Sequence, residues 1–103
     1  MLIIEGILSL DHQNDDYIMF FSGRNINLTD ILDSMILEDV FIKVKRTHKG
    51  KVLFCKQGEL FKEKVSRNYY LFYVGNQDLD SVLWDNVGQS LNIEIKNISN
   101  YNM

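Results

Sequence analysis

The sequence repeats itself after about half of its length, and this repeat constrains the fold more than any other feature. Seven apolar positions of the first half recur in the second half after a constant shift of 51 residues. They are Leu28, Ile31, Leu32, Ile36, Val40, Ile42 and Val44, which correspond to Leu79, Val82, Leu83, Val87, Leu91, Ile93 and Ile95. Upstream the shift is 52 residues, and Gly6, Leu8, Tyr17, Phe20 and Gly23 correspond to Gly58, Leu60, Tyr69, Phe72 and Gly75. We therefore predict a tandem duplication with repeats at about residues 1–47 and 51–98.

At 103 residues the chain is predicted to form a single domain, because neither repeat could bury a sufficient core alone. Each repeat has the pattern strand–strand–helix–strand. These elements are predicted at residues 2–10 and 52–61, 17–21 and 69–73, 28–36 and 79–87, and 40–44 and 91–95. Asn27 and Asp78 precede the helices and are predicted N-caps. Gly6 and Gly58 lie within the first strands and indicate a bulge, a bend or a close backbone approach.

The predicted fold is thus α+β and strand-dominated, with two ββαβ units related by a pseudo-twofold axis. In the order of its elements, and over nearly the whole chain, this arrangement resembles the double-psi member of the cradle-loop barrels. The resemblance implies a small six-stranded barrel with two short helices. An open six-stranded sheet with helices on one face is the alternative. Residues 99–103 are predicted to form a loose tail.

Composition excludes several classes of protein. The N-terminus lacks the basic region of a signal peptide, and no apolar run is long enough to span a bilayer. The single cysteine, Cys55, cannot form an internal disulfide, so a reducing cytoplasm is expected. We expect Cys55 itself to be a small buried hydrophobe on its strand. The chain has no proline and no alanine and is rich in asparagine, isoleucine and lysine, which is typical of an AT-rich genome and indicates a low-GC bacterium or its phage.

Charge is distributed unevenly along the chain. Residues 43–67 contain nine basic and two acidic residues, whereas the whole chain has a formal net charge of −3. A basic segment in an acidic protein creates a dipolar field. This segment could bind an acidic protein surface or the phosphates of a nucleic acid, or it could be a solvated hairpin whose charges protect a sheet edge.

Positions that differ between the repeats are candidates for function, because the repeated core does not require them. Three of them carry a large aromatic side chain where the counterpart is polar: Trp84 in place of Asp33, Phe41 in place of Asn92, and Phe61 in place of Ser9. Such aromatic residues are typical anchors of protein interfaces, although they could instead cover or fill the core. The predicted partner-binding residues are these anchors and a set of basic residues that would orient the contact: Phe41, Phe61, Trp84, Lys43, Lys45, Arg46, Lys49 and Lys51.

The sequence contains no recognisable catalytic, cofactor-binding or metal-binding pattern. His12 and His48 are far apart in sequence and belong to no ligand spacing. The prediction is a non-catalytic binding protein of phage or mobile-element type, acting in the host cytoplasm. Its specific form is an inhibitor of a host defence system that works by protein–protein contact. The alternatives are a nucleic-acid or nucleotide binder that uses residues 43–67, and a protein that holds a small molecule between its halves. A homodimer is also compatible with the charge pattern.

Overall fold

The computed structural model describes residues 1–13, 16–22, 26–66 and 69–99. Eight strands and two short helices follow one another along the chain. Their bounds are β1 Leu2–Gln13, β2 Asp16–Ser22, β3 Ile26–Asn27, α1 Leu28–Asp33, β4 Asp39–Arg46, β5 Val52–Ser66, β6 Tyr69–Val74, β7 Gln77–Asp78, α2 Leu79–Asp85 and β8 Ser90–Asn97. In the described part of the chain, no helix combines the length and the apolar character needed to cross a membrane.

All eight strands belong to one antiparallel sheet with the order β3-β2-β1-β8-β4-β5-β6-β7. The counterparts in the two halves are β1 and β5, β2 and β6, β3 and β7, and β4 and β8. If each strand is replaced by its counterpart, the strand order becomes the reverse of itself, as a twofold axis between β4 and β8 requires. The register follows the same rule. At the centre of the β4–β8 pair, Lys43 lies opposite Glu94, and these two residues are themselves counterparts at the shift of 51.

The helices begin where the sequence predicts. The side chain of Asn27 accepts a hydrogen bond from the backbone N–H of Asp30, and that of Asp78 accepts one from the N–H of Ser81, each at 3.0 Å. Both predicted N-caps are therefore confirmed. A side-chain oxygen at this position satisfies a backbone donor that has no partner within the helix.

The core lies between the two helices and one face of the central strands. Its centre consists of four pairs of counterparts: Leu28 with Leu79, Leu32 with Leu83, Ile42 with Ile93, and Val44 with Ile95. The space between these side chains does not admit a water molecule. The interior between the described halves is thus filled by aliphatic side chains.

The predicted six-stranded barrel is not confirmed. The described strands form an open sheet of eight, because two short edge strands, β3 and β7, are added and the sheet does not close. The long strands β1 and β5 each pair with a central strand along one part of their length and with a hairpin partner along the other. In β5 the partner changes between Glu59 and Leu60, and an added Cβ on the nearby Gly58 would lie 3.2 Å from the backbone nitrogen of Gly75. The close approach predicted for this glycine is confirmed.

Two correspondences between the repeats, those of Tyr17 and Phe20, are each wrong by one residue. β1 places Leu10 opposite Met19, and β5 places its counterpart Lys62 opposite Phe72. The buried counterpart of Phe72 is therefore Met19 and not Phe20. The cause is an irregularity in β5 between Lys64 and Ser66, where the register shifts by one residue. Gly23 lies outside the described residues.

Candidate protein-binding surface

The predicted basic residues lie on the β4–β5 hairpin. Lys43 and Lys45 alternate along β4 with the buried Ile42 and Val44, so they project from the face of the sheet that the helices do not cover. We call this the open face. The turn at residues 47–50 joins the two strands, and both Lys49 within it and Lys51 after it are exposed.

The neighbours of each basic side chain differ. Lys43 lies between Cys55 of β5 and Glu94 of β8, and Lys45 lies beside Asn92. Arg46 is directed elsewhere, because its guanidinium donates a hydrogen bond of 3.4 Å to the side-chain oxygen of Asn86 at the end of α2. The structure therefore brings Lys43 and Lys45 together on the open face and ties Arg46 to the helix layer.

Among the described residues, a single ion pair joins a basic and an acidic side chain. Lys62 Nζ lies 2.8 Å from Asp33 Oδ1. None of the five predicted basic residues of the hairpin has a described carboxylate within ion-pair distance. Lys43 has Glu94 directly opposite in the register, whereas Lys49 and Lys51 lie in and beside the exposed turn, so this end of the molecule carries a positive charge.

The two predicted phenylalanine anchors do not form one patch. Phe41 is half-buried on the open face, between Gln57 and Lys96 in the register. Phe61 lies four residues beyond Gln57 along β5, which corresponds to about 13 Å at the usual rise per residue. It pairs with Tyr73 and lines a separate groove. Phe41 accordingly belongs with Lys43 and Lys45, and Phe61 belongs to another part of the surface.

Trp84, the third predicted anchor, lies in the helix layer and is partly buried. Its indole N–H donates a hydrogen bond to the carboxylate of Asp80. Asp80 is only 1% exposed, and its Oδ1 also accepts the backbone N–H of Phe72 at 3.3 Å. Burial raises the pKa of Asp80 from 3.8 to about 6, although the hydrogen bonds from Phe72 and Trp84 partly oppose this rise. Trp84 therefore packs around a buried acid on the opposite side of the sheet from Lys43.

Asp80 was not predicted from the sequence, although the repeat contains a signal for it. The counterpart of Asp80 at the shift of 51 is Thr29, whose hydroxyl accepts the backbone N–H of Met19 at 2.9 Å. Both side chains bind an N–H group of a strand near the sheet edge. The signal in the sequence is the charged Asp80 at a position where the other repeat has the neutral Thr29.

The prediction of a buried Cys55 is wrong. The thiol is free and exposed, because Cys55 alternates with the buried Phe54 and so lies on the open face beside Lys43. His12 has no described side chain, and no group of three histidine, cysteine, aspartate or glutamate side chains within the described ranges is arranged to hold a metal ion.

Ser99, the last described residue, lies at the start of β4. Its hydroxyl accepts the backbone N–H of Asp39 at 2.7 Å. The rest of the predicted tail, residues 100–103, lies outside the described residues.

Comparison of the chain with protein-family models, curated proteins and solved structures gives no significant match.

Proposed function

We propose that this chain is a non-catalytic binding protein that recognises an acidic surface of a partner protein through the β4–β5 hairpin. The observation that carries the proposal is the set of Lys43, Lys45, Lys49 and Lys51, none with a described carboxylate within ion-pair distance, on the hairpin whose strand β4 also carries the half-buried ring of Phe41. Lysines at such a surface steer a partner of opposite charge, while the aromatic ring supplies apolar contact area.

The proposal extends to the biological setting that composition favours. A small acidic chain without proline or alanine is typical of phage and mobile-element accessory proteins, and inhibition of a host defence system by direct contact is the form in which we propose it. The predicted cytoplasmic location belongs to the same proposal. So does a common origin of the two ββαβ halves by duplication, which the reversed strand order and the Lys43–Glu94 register support.

A pull-down from a lysate of the native host tests the proposed surface. The double variant Lys43→Glu, Lys45→Glu should lose the captured protein. The matched control is Lys56→Glu, which reverses an exposed charge on the same hairpin but on the other side of β5, opposite Ile42. Equal capture by both variants and the parent chain would show that the open face does not bind the partner.

Salt dependence separates this proposal from the alternative of a nucleic-acid binder. Binding of duplex or single-stranded DNA through residues 43–67 would weaken steeply with salt, by about one power of the salt concentration for each phosphate neutralised. A protein contact anchored by Phe41 should weaken much less. Titration of a fluorescent oligonucleotide at about 50 mM and about 200 mM salt makes the comparison, and tight, salt-sensitive DNA binding would overturn the proposal.

A further inference from the structure

A row of three side chains crosses the strands at the end of the sheet opposite the hairpin turn. In the register, Phe61 of β5 lies opposite Tyr73 of β6, and Tyr73 lies opposite Asp78 of β7. Side chains that are directly opposite in antiparallel strands share one face of the sheet, with Cβ atoms about 5 Å apart. Glu63 follows two residues after Phe61 and therefore lies on the same face. Two aromatic rings are thus bordered by two carboxylates.

The row borders a groove of about 630 Å³. Phe61 is 38% exposed, so part of its ring is accessible to a ligand. The pKa of the Tyr73 hydroxyl is raised, first by burial and then by the negative charges of Asp78 and Glu63, which places both carboxylates within electrostatic reach of the ring. The groove is lined by Phe61, Tyr73 and Glu63 together with Lys62, Lys64, Gly75 and Asn76, and Asp78 lies at the end of the row, outside this lining.

The two lysines at the groove do not have the same effect. Lys62 is already engaged, since its ammonium lies 2.8 Å from Asp33 Oδ1 and 5.5 Å from the centre of the Phe72 ring. Lys64 adds one positive charge. Glu63 and Asp78 carry two negative charges, and the surroundings of the Phe61–Tyr73 pair therefore remain negative.

The other half of the molecule contains the same row with different side chains. There Ser9 lies opposite Phe20, and Phe20 lies opposite Asn27. Asn27 and Asp78 each cap a helix by accepting a backbone N–H, and Oδ2 of Asp78 also accepts the Ser81 hydroxyl at 2.6 Å. The second ring and the carboxylate of the row are consequently specific to one half.

We propose that the groove beside Phe61 and Tyr73 binds a guanidinium or ammonium side chain presented by a partner polypeptide. The faces of the two rings attract a cation through their quadrupoles, and Glu63 and Asp78 supply the opposite charge. The site thus adds a cation-binding position to a molecule whose hairpin is proposed to bind acidic surfaces. It rests on different residues from the proposed function and goes beyond it.

The experiment is an NMR titration of the isotopically labelled full chain with a blocked pentapeptide that has a central arginine between glycines. The same peptide with citrulline, which keeps the shape and removes the charge, is the matched ligand. We expect the arginine peptide to shift the amide signals of Tyr73, Gly75 and Asn76 and to bind at least tenfold more tightly than the citrulline peptide.

Variants taken from the other half test the residues without disturbing the fold. Phe61→Ser should weaken arginine binding at least tenfold, and Asp78→Asn, which keeps a capping side chain, at least threefold. Tyr73→Phe keeps the ring and should change the affinity less than twofold. Lys43→Glu, Lys45→Glu should also leave this titration unchanged, so failure of the hairpin proposal and failure of this one are distinguishable.

Three results would overturn the inference. One is equal binding of the arginine and citrulline peptides. Another is a Phe61→Ser variant, shown to be folded by its spectrum, that binds as the parent does. The third is concentration-dependent self-association that Lys49→Glu, Lys51→Glu abolishes in sedimentation, because the site would then be occupied by the hairpin of a second copy rather than by a partner.

Discussion

The buried carboxylate of Asp80 predicts that the stability of this protein falls as pH rises through the mildly acidic range. Asp80 is nearly inaccessible to solvent and accepts hydrogen bonds from the Phe72 N–H and the Trp84 indole. In the other half the equivalent hydrogen bond is uncharged, because the hydroxyl of Thr29 accepts the backbone N–H of Met19. Asp80→Thr therefore replaces a buried acid by the neutral residue that the fold already uses at the counterpart position.

The magnitude follows from the pKa shift. A rise from 3.8 to about 6 is roughly two units, which corresponds to about 3 kcal/mol between the protonated and ionised forms. Because the folded-state pKa of Asp80 is raised, its contribution to stability is fully present below about pH 3.8 and is lost as pH rises through about 6. The Asp80→Thr variant lacks this loss. Its unfolding free energy relative to the parent should thus improve by about 3 kcal/mol between about pH 3.5 and pH 7.

Urea denaturation followed by far-UV circular dichroism at a series of pH values measures this difference. The backbone signal is preferable to fluorescence, because the substitution changes the surroundings of Trp84. Asp85→Asn is the matched control, since it removes an exposed acid from the same helix. A parent–variant difference that stays constant from about pH 3.5 to pH 7 would refute the raised pKa of the buried Asp80 carboxyl group.

Three further predictions concern the backbone and the ion pair. Leu37 has a φ of +70° and is 67% exposed, whereas its counterpart is Gly88 with a φ of +89°. Leu37→Gly should therefore raise the unfolding free energy by about 0.5–1 kcal/mol in urea denaturation, and Gly88→Leu should lower it by at least about 1 kcal/mol; the opposite order would contradict the strain argument. Gly58→Ala should lower the unfolding free energy by about 1–3 kcal/mol, because the added Cβ would lie 3.2 Å from the backbone of the turn after β6. An unchanged melting temperature would show that this turn can move away from the added Cβ. Asp33→Ala should lower the unfolding free energy by less than about 1 kcal/mol, because the ion pair between Asp33 and Lys62 is partly exposed. About 1 M salt should remove most of this difference between parent and variant. A larger loss that does not depend on salt would mean that the Asp33 side chain stabilises the fold by packing.

Sequence periodicity was sufficient to predict the order of the six longer strands and the two helices, the helix caps and the residues of the central core, because each of these follows from a local pattern within one repeat. Leu28 and Leu79 reach the core through the same local pattern in both halves. Closure of the sheet is a different property, since it depends on how far β1 and β5 bend and on where their pairing changes partner. The two-residue strands β3 and β7 are too short to produce a period in the sequence.

The candidate surface could be predicted only in part, for a similar reason. The alternation of β4 is sufficient to place Lys43 and Lys45 on one face, and the same alternation in β5 would have placed Cys55 there beside the buried Phe54. The distance between Phe41 and Phe61 could not be predicted, because it depends on the register of β4 on β5.

Differences between the two halves are informative only after their contacts are known. Trp84 stands where the first half has Asp33, and Asp80 stands where it has Thr29. The indole N–H of Trp84 donates to the carboxylate of Asp80, so each of these two differences is explained by contact with the other. Asp33 and Lys62 form a similar pair. Phe61 has no such role in the fold, because its ring remains 38% exposed beside a groove while the other half uses Ser9 at that position. A difference that the fold satisfies internally is explained by packing, whereas an aromatic difference that stays exposed beside a groove is a candidate for contact with a ligand or partner. By this criterion the end of the sheet at Phe61 is a stronger candidate for recognition than Trp84.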